Sequence, residues 1–241
     1  MQTRTQNTGG AGLTPAQARL DVILAVLLTI AAGVLAAVVA DALLAGRGGL
    51  VVVLVAQGVI VLIGLQALIL WRGQQWRDLG LQAPRLRDLG RGLLALLLVF
   101  AVNAALMFLI TLVAPELVER HQEELATVAA WIVGDLSLWM LLLVTLFVGL
   151  YEEILARGFI LGRCRVLLAG IWGPVLVSSI LFGLGHLYQG GFGVVQTAII
   201  GILFARLVVH WGTLWPVIYA HAALNFTSLS ILRLVEDGSL G

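Results

Sequence analysis

The chain has 241 residues, of which 61% are hydrophobic and only 11% are charged, and its formal net charge is +1. A soluble domain carries about 25% charged residues. The composition therefore excludes an ordinary soluble protein and indicates an integral membrane protein, because the apolar residues also fall in long runs. The net charge says nothing about a nucleic-acid partner, but the sequence has no dense basic cluster, so we expect none.

The apolar runs predict membrane-spanning helices. Residues 1–19 are polar and rich in Gly and Thr, so we expect a flexible tail there. A membrane-spanning helix needs about 20 mostly apolar residues. This requirement predicts seven spans, at about 20–45, 50–71, 92–114, 135–161, 171–188, 193–211 and 214–235. Because the runs are too long and too uniformly apolar for barrel strands, we predict an all-α fold, a polytopic transmembrane helical bundle.

The connections between the predicted spans differ in charge. The connection between the second and third spans is rich in arginine (Arg72, Arg77, Arg85, Arg87 and Arg91), whereas the next is acidic (Glu116, Glu119, Glu123 and Glu124). Positive charge favours the cytoplasmic side of a membrane. We therefore expect a cytoplasmic N-terminus. All the basic residues are arginine, as expected of a GC-rich bacterial genome, which suggests a bacterial inner membrane.

Polar side chains are sparse in the last hundred residues, and they form three short motifs. These are EEILAR, with Glu152, Glu153 and Arg157; FGLGH, with Phe182 and His186; and HAALN, with His221 and Asn225. An ionised side chain is expensive to bury in an apolar run, so it needs a partner or a purpose. The three motifs are therefore the candidates for a functional site.

Helical spacing limits how these side chains can point. Glu153 and Arg157 are four residues apart and can pair, and His221 and Asn225 share one helix face for the same reason. Glu152 and Glu153 are neighbours and project about 100° apart. We predict that Glu152 faces the site while Arg157 holds Glu153; the reverse assignment also satisfies the spacing.

A carboxylate, two imidazoles and an amide at membrane depth are suited to hydrolysis. A carboxylate in a dry pocket is a stronger base than in water and can take a proton from it. A neutral histidine can orient that water or bind a metal that activates it. A second histidine and an asparagine can donate to the oxyanion of an attacked peptide carbonyl. Each motif alone also has a structural explanation, as an ion pair, a core histidine or a bridge between helices, so the prediction rests on their combination.

The three motifs, in this order, resemble the EExxxR, FxxxH and HxxxN motifs of the CPBP intramembrane protease family. That family includes type II CAAX prenyl endopeptidases and bacteriocin-processing or immunity proteins. The resemblance covers about residues 135–232. It divides the chain into the tail (1–19), accessory spans and loops (20–134) and a catalytic transmembrane core (135–235).

The resemblance also implies roles for individual residues. Glu152 and His186 would activate the attacking water, and His221 and Asn225 would stabilise the oxyanion. Glu153, Arg157 and Phe182 would shape the site. Zinc or another divalent metal, if one is used, would be held by Glu152, His186 and His221, but no HExxH motif is present, and the same groups suit a metal-free glutamate protease.

The implied substrate is a membrane-associated protein or peptide, prenylated or otherwise tethered to lipid, and membrane lipid is the other expected partner. Two alternatives remain. A non-catalytic scaffold or immunity-type relative would keep the site without using it. A small ion- or proton-coupled transporter would also bury Glu and His, although no internal repeat supports one. The sequence does not indicate an oligomeric state.

Overall fold

The computed structural model describes residues 12–44, 49–133 and 136–236, and these residues form helices without any β-strand. The α-helices are α1 (Pro15–Leu44), α2 (Gly49–Trp71), α3 (Leu86–Val113), α4 (Pro115–Val133), α5 (Leu138–Glu153), α6 (Leu161–Leu167), α7 (Trp172–Leu184), α8 (Gly190–Trp211) and α9 (Trp215–Glu236). A π-helical segment, Ile154–Ile160, joins α5 to α6, and short 3-10 helices form at Trp76–Leu79 and Leu187–Gln189. This architecture confirms the predicted all-α polytopic bundle.

The described residues include six helical segments that are long and apolar enough to cross a membrane. They are Pro15–Ala42, Gly49–Trp71, Leu86–Val113, Leu138–Leu167, Leu187–Trp211 and Trp215–Leu234. Large apolar side chains such as Ile30, Ile63 and Leu97 are exposed on their outer faces, where lipid would cover them. The chain is therefore an integral membrane protein.

Two sequence predictions differ from the structure in detail. The predicted fifth span, 171–188, contains the 13-residue helix α7, whose length of about 20 Å is less than the roughly 30 Å core of a bilayer. Most of the predicted tail, residues 1–11, lies outside the described residues, and α1 already begins at Pro15.

The acidic connection after the third span is itself a helix, α4. Its exposed face carries Glu116, Glu119 and Glu123, and its opposite face buries Val118 and Val128. Helix α4 packs against α3, α8 and α9. The segment predicted as an acidic connection is therefore an amphipathic helix that packs against the bundle.

Close helix crossings bring the three motifs together. Helix α7 packs mainly on α8, and α9 packs between α3 and α5. At the α5–α9 crossing, a Cβ on Gly149 would lie 3.0 Å from the backbone nitrogen of Ala222. At the α7–α8 crossing, a Cβ on Gly183 would lie 2.6 Å from the carbonyl oxygen of Val194. These glycines lie within four residues of Glu153 and His186, so the crossings fix where those side chains meet.

A buried cluster of charged residues links three helical segments at one end of the bundle. Asp21, on α1, accepts hydrogen bonds from Arg72 at 2.7 Å and from Arg163 at 3.3 Å. Arg72 directly follows α2, and Arg163 lies on α6. The start of α1, the end of α2 and the end of the Leu138–Leu167 span therefore lie at the same end of the bundle.

Candidate active site

The first motif lies where the helix geometry changes. Helix α5 ends at Glu153, and the π-helical segment Ile154–Ile160 follows, with the N–H of Leu161 donating to the carbonyl of Ala156 five residues earlier. Such π-turns are rare in proteins, and those that occur are often found at functional sites. Arg157 lies inside this segment, and its Nη1 donates to Oε1 of Glu153 at 3.0 Å, with both side chains buried.

Aromatic rings enclose the guanidinium of Arg157. Its carbon lies 3.9 Å from the centroid of Phe182 and 5.7 Å from that of Phe204. A Cβ on Gly201 would lie 3.2 Å from Nη2 of the arginine. The absence of a side chain at Gly201 therefore makes room for the cation, and the rings stabilise it where water cannot.

Glu153 also binds the third motif. Nδ1–H of His221, on α9, donates to Oε1 of Glu153 at 2.8 Å. One carboxylate oxygen thus accepts from an arginine one turn away and from a histidine on another span. This contact fixes the imidazole orientation and directs Nε2 of His221 away from Glu153.

Glu152 faces both histidines. Its Oε1 accepts a hydrogen bond from the hydroxyl of Tyr151 at 3.3 Å. Its Oε2 is buried without a hydrogen-bond partner among the described residues, 3.8 Å from Nε2 of His186 and 3.6 Å from Nε2 of His221. Nδ1–H of His186 donates to the carbonyl of Phe182 at 2.9 Å. The lone pair on Nε2 of a neutral His186 is then free to accept.

Two cavities meet at these residues. One has a volume of about 220 Å³ and is lined in part by Glu152, His186, His221 and Asn225. Asn225 makes no hydrogen bond with the described residues, so its amide is free to bind a ligand. The second cavity has a volume of about 430 Å³ and is lined mostly by apolar residues of α1, α2, the π-segment and α7. Glu152 and His186 line both cavities. The first cavity carries the polar side chains of all three motifs among apolar ones and is called the polar cavity below; the second is called the apolar cavity.

The predicted metal ligands do not form a metal site in the described part of the chain. Glu152, His186 and His221 face one another, but no group of three or more His, Cys, Asp or Glu side chains among residues 12–44, 49–133 and 136–236 is arranged to hold a metal ion. Oε2 of Glu152 lies 3.6 Å from Nε2 of His221 and 3.8 Å from Nε2 of His186. The other histidines lie elsewhere, His210 at the end of α8 and His121 on α4.

Several cavity residues were not singled out from the sequence. Tyr151 contacts Glu152, Tyr188 and Phe204 line the polar cavity, and Asn103 and Gln196 add amides to its wall. A signal existed for the amides, because polar side chains inside an apolar span usually face a cavity or a partner. The aromatic residues had no such signal, since nothing distinguishes them from lipid-facing ones.

One comparison with known proteins gave a match. Residues 134–227 match the family model described as type II CAAX prenyl endopeptidase Rce1-like. No curated protein and no solved structure matches the chain. The match confirms the resemblance to an intramembrane protease family, and it includes all three motifs. Helices α1 to α4 lie outside it.

Proposed function

We propose that this chain, with its match to a prenyl endopeptidase family over residues 134–227, hydrolyses a peptide bond of a membrane-associated protein or peptide. One observation carries the proposal. Oε2 of Glu152 is buried, has no hydrogen-bond partner among the described residues, and faces the Nε2 atoms of two histidines, one in the turn after α7 and the other on α9. A carboxylate oxygen left unpaired in such a place suits a general base that waits for water.

The proposed reaction uses only side chains of this chain. One water donates hydrogen bonds to Oε2 of Glu152 and to Nε2 of His186, which orients its lone pair toward the substrate carbonyl carbon. Glu152 takes a proton as the water oxygen attacks. The resulting oxyanion accepts from His221 Nε2–H and from the amide of Asn225. The C–N bond then breaks, and the proton on Glu152 passes to the leaving amine, giving a carboxylic acid and an amine.

The charges at the site support this role for His221. Glu152 and Glu153 carry two negative charges when ionised, and Arg157 supplies one positive charge. A protonated His221, held by Glu153 at 2.8 Å, brings the net charge to zero. A neutral sum is the least costly arrangement at membrane depth, and a protonated ring has the second N–H that an oxyanion donor needs.

The apolar cavity supports a substrate that carries a hydrocarbon group. It borders Glu152 and His186 and is lined by Val26, Ile30 and Leu155 among other apolar residues. Burying hydrocarbon there is favourable by about 25 cal/mol per Å². We propose that a prenyl group, another lipid or an apolar side chain of the substrate occupies this cavity while the peptide enters the polar one.

We also propose a bacterial inner membrane with the N-terminus in the cytoplasm. Support comes from the Asp21 cluster, which places the start of α1 at the same end as the arginine-rich connection that follows α2. Reporter fusions at the N-terminus and in the connection between α4 and α5 would test this. The first should report a cytoplasmic position and the second an external one; the opposite result would invert the topology.

The direct test is cleavage by purified protein in detergent. The substrates are a library of fluorescent peptides with an N-palmitoyl or C-terminal prenyl tether, and products are identified by mass spectrometry. Glu152→Gln should lower cleavage at least about a hundredfold, because general bases contribute about 10² to 10⁴ in rate. His186→Ala and His221→Ala should also abolish it. The matched control is Glu123→Gln, at an exposed glutamate of α4, which should cleave like the wild type.

Full activity in all three site variants would end the proposal. A non-catalytic scaffold predicts a different pattern in cells, where Glu152→Gln would rescue a deletion phenotype as well as the wild type does. A transporter predicts flux in liposomes.

A further inference from the structure

A second polar cluster lies in the same cavity, built from helices outside the catalytic motifs. Asn103 of α3 and Gln196 of α8 line the 220 Å³ cavity together with Glu152 and His186. Nε2 of Gln196 donates to Oδ1 of Asn103 at 3.3 Å. His121, buried on α4, donates through Nε2–H to Oε1 of Gln196 at 2.8 Å. Asn103 and His121 precede the segment that matches the family model.

The direction of these hydrogen bonds leaves donors open. His121 donates to the amide oxygen of Gln196, and the amide nitrogen of Gln196 donates one N–H to Asn103. A side-chain amide nitrogen carries two N–H groups. Both N–H groups of Asn103, and the second one of Gln196, therefore lack a hydrogen-bond partner among the described residues. Donors left open in a membrane-embedded cavity are suited to a ligand with acceptor oxygens.

We propose that Asn103 and Gln196 bind main-chain carbonyl oxygens of the substrate next to the peptide bond that is hydrolysed by the water bound to Glu152. This inference rests on the proposed function and adds the subsite that holds the peptide. A peptide bond can be attacked only when the substrate backbone is not helical, and its carbonyls then lose their internal partners. In an apolar environment an unpaired carbonyl is costly, so amide donors in the cavity would lower the cost of unwinding.

The chemistry of this subsite predicts how it contributes to specificity. Main-chain carbonyls are the same at every residue, so amide donors that bind them do not read the side chains of the substrate. Asn103 and Gln196 should therefore strengthen binding for all peptides alike. Selection among peptides would come from the apolar cavity on the other side of Glu152 and His186.

The test compares KM and kcat for Asn103→Leu and Gln196→Leu in the full chain, with a fluorescent palmitoylated peptide that the wild type cleaves. Each variant should raise KM about 3- to 10-fold, the equivalent of one hydrogen bond, and leave kcat within about twofold. The matched control is Gln66→Leu, an amide of α2 that lines neither cavity, and its KM should not change.

A second substrate series identifies the acceptor. In each peptide one carbonyl beside the scissile bond is replaced by a methylene group. At one position the replacement should raise KM of the wild type as much as Asn103→Leu does, without a further rise when the two are combined. If Asn103→Leu does not fold, Asn103→Asp replaces it, because it keeps Oδ1 for Gln196 and loses the N–H donors.

The outcomes separate this inference from the proposed function. If no peptide is cleaved, the proposed function fails, and fluorescence anisotropy with Glu152→Gln then tests whether Asn103→Leu weakens binding of the palmitoylated peptides. An unchanged KM and unchanged affinity in both leucine variants would overturn the subsite. It would also be overturned if native mass spectrometry showed that the variants lose bound phosphatidylglycerol while peptide affinity stays the same, because the donors would then bind lipid ester carbonyls.

Discussion

Removing the cation from the buried pair of Glu153 and Arg157 should destabilise the fold strongly. The two side chains are 0% and 1% exposed, and Nη1 lies 3.0 Å from Oε1. At an effective dielectric constant of about 20, their attraction is 332/(20 × 3.0), or about 5.5 kcal/mol. Arg157→Met leaves the carboxylate buried without this partner, which typically costs about 3–5 kcal/mol. Because His221 donates to the same oxygen, we expect a loss near the lower end, about 3 kcal/mol.

A double-mutant cycle measures the pair itself. Arg157→Met, Glu153→Gln and the double variant are unfolded in mixed micelles of dodecyl maltoside and sodium dodecyl sulfate, and unfolding is followed by circular dichroism. The double variant leaves neither charge buried alone. Its loss of stability should therefore be about 2 kcal/mol smaller than the sum of the losses in the two single variants. The control is Arg77→Met, at an exposed arginine, which should change stability by less than about 0.5 kcal/mol.

Two results would refute this reasoning. A loss below about 1 kcal/mol for Arg157→Met would mean that water reaches the pair. Additive losses in the cycle would mean that the two side chains do not interact, and the site could not then depend on Glu153 being held in place.

Three further predictions concern the crossings, the ion cluster and metal. Gly183→Ala should lower cleavage and cost about 1–3 kcal/mol of stability, because its Cβ would lie 2.6 Å from the carbonyl of Val194; wild-type cleavage and stability would contradict this packing. Asp21→Leu should cost about 3–5 kcal/mol in the same micelle assay, because Arg72 and Arg163 lose their shared carboxylate, and a change within error would show the cluster to be dispensable. Prolonged dialysis against EDTA should leave cleavage within about twofold, since every proposed base and oxyanion donor is a side chain; a loss restored by zinc would reject the metal-free reaction.

The membrane class and most spans could be predicted because the cost of placing a polar backbone or side chain in lipid depends on local sequence. A run such as residues 50–71 predicts its own helix, and the structure has one there, Gly49–Trp71. Helix α4 was missed for the same reason, since four glutamates exclude it from lipid while its helical form depends on packing against α3, α8 and α9. The short α7 was predicted as a full span because the apolar run continues past the point where the helix ends.

The candidate site was predictable only within single helices. Spacing predicts that Glu153 and Arg157 can pair, because four residues return a helix to the same face. Spacing says nothing about the bond between Glu153 and His221, which are separated by 68 residues. That bond depends on the crossing at Gly149, where the absence of a side chain lets α5 and α9 approach. The Asn103–Gln196 pair likewise depends on the packing of α3 beside α8.

By itself, the order of residues in this chain determined that it must fold within a membrane and which few polar side chains had to find partners there. The physical reason is that the free energy of transferring a helix into lipid is a sum of contributions from its individual residues. Tertiary packing alone decided that one glutamate is tied to an arginine and a histidine while its neighbour keeps an open oxygen between two imidazoles. Such geometry arises where separate helices cross, and local sequence carries no measure of those distances.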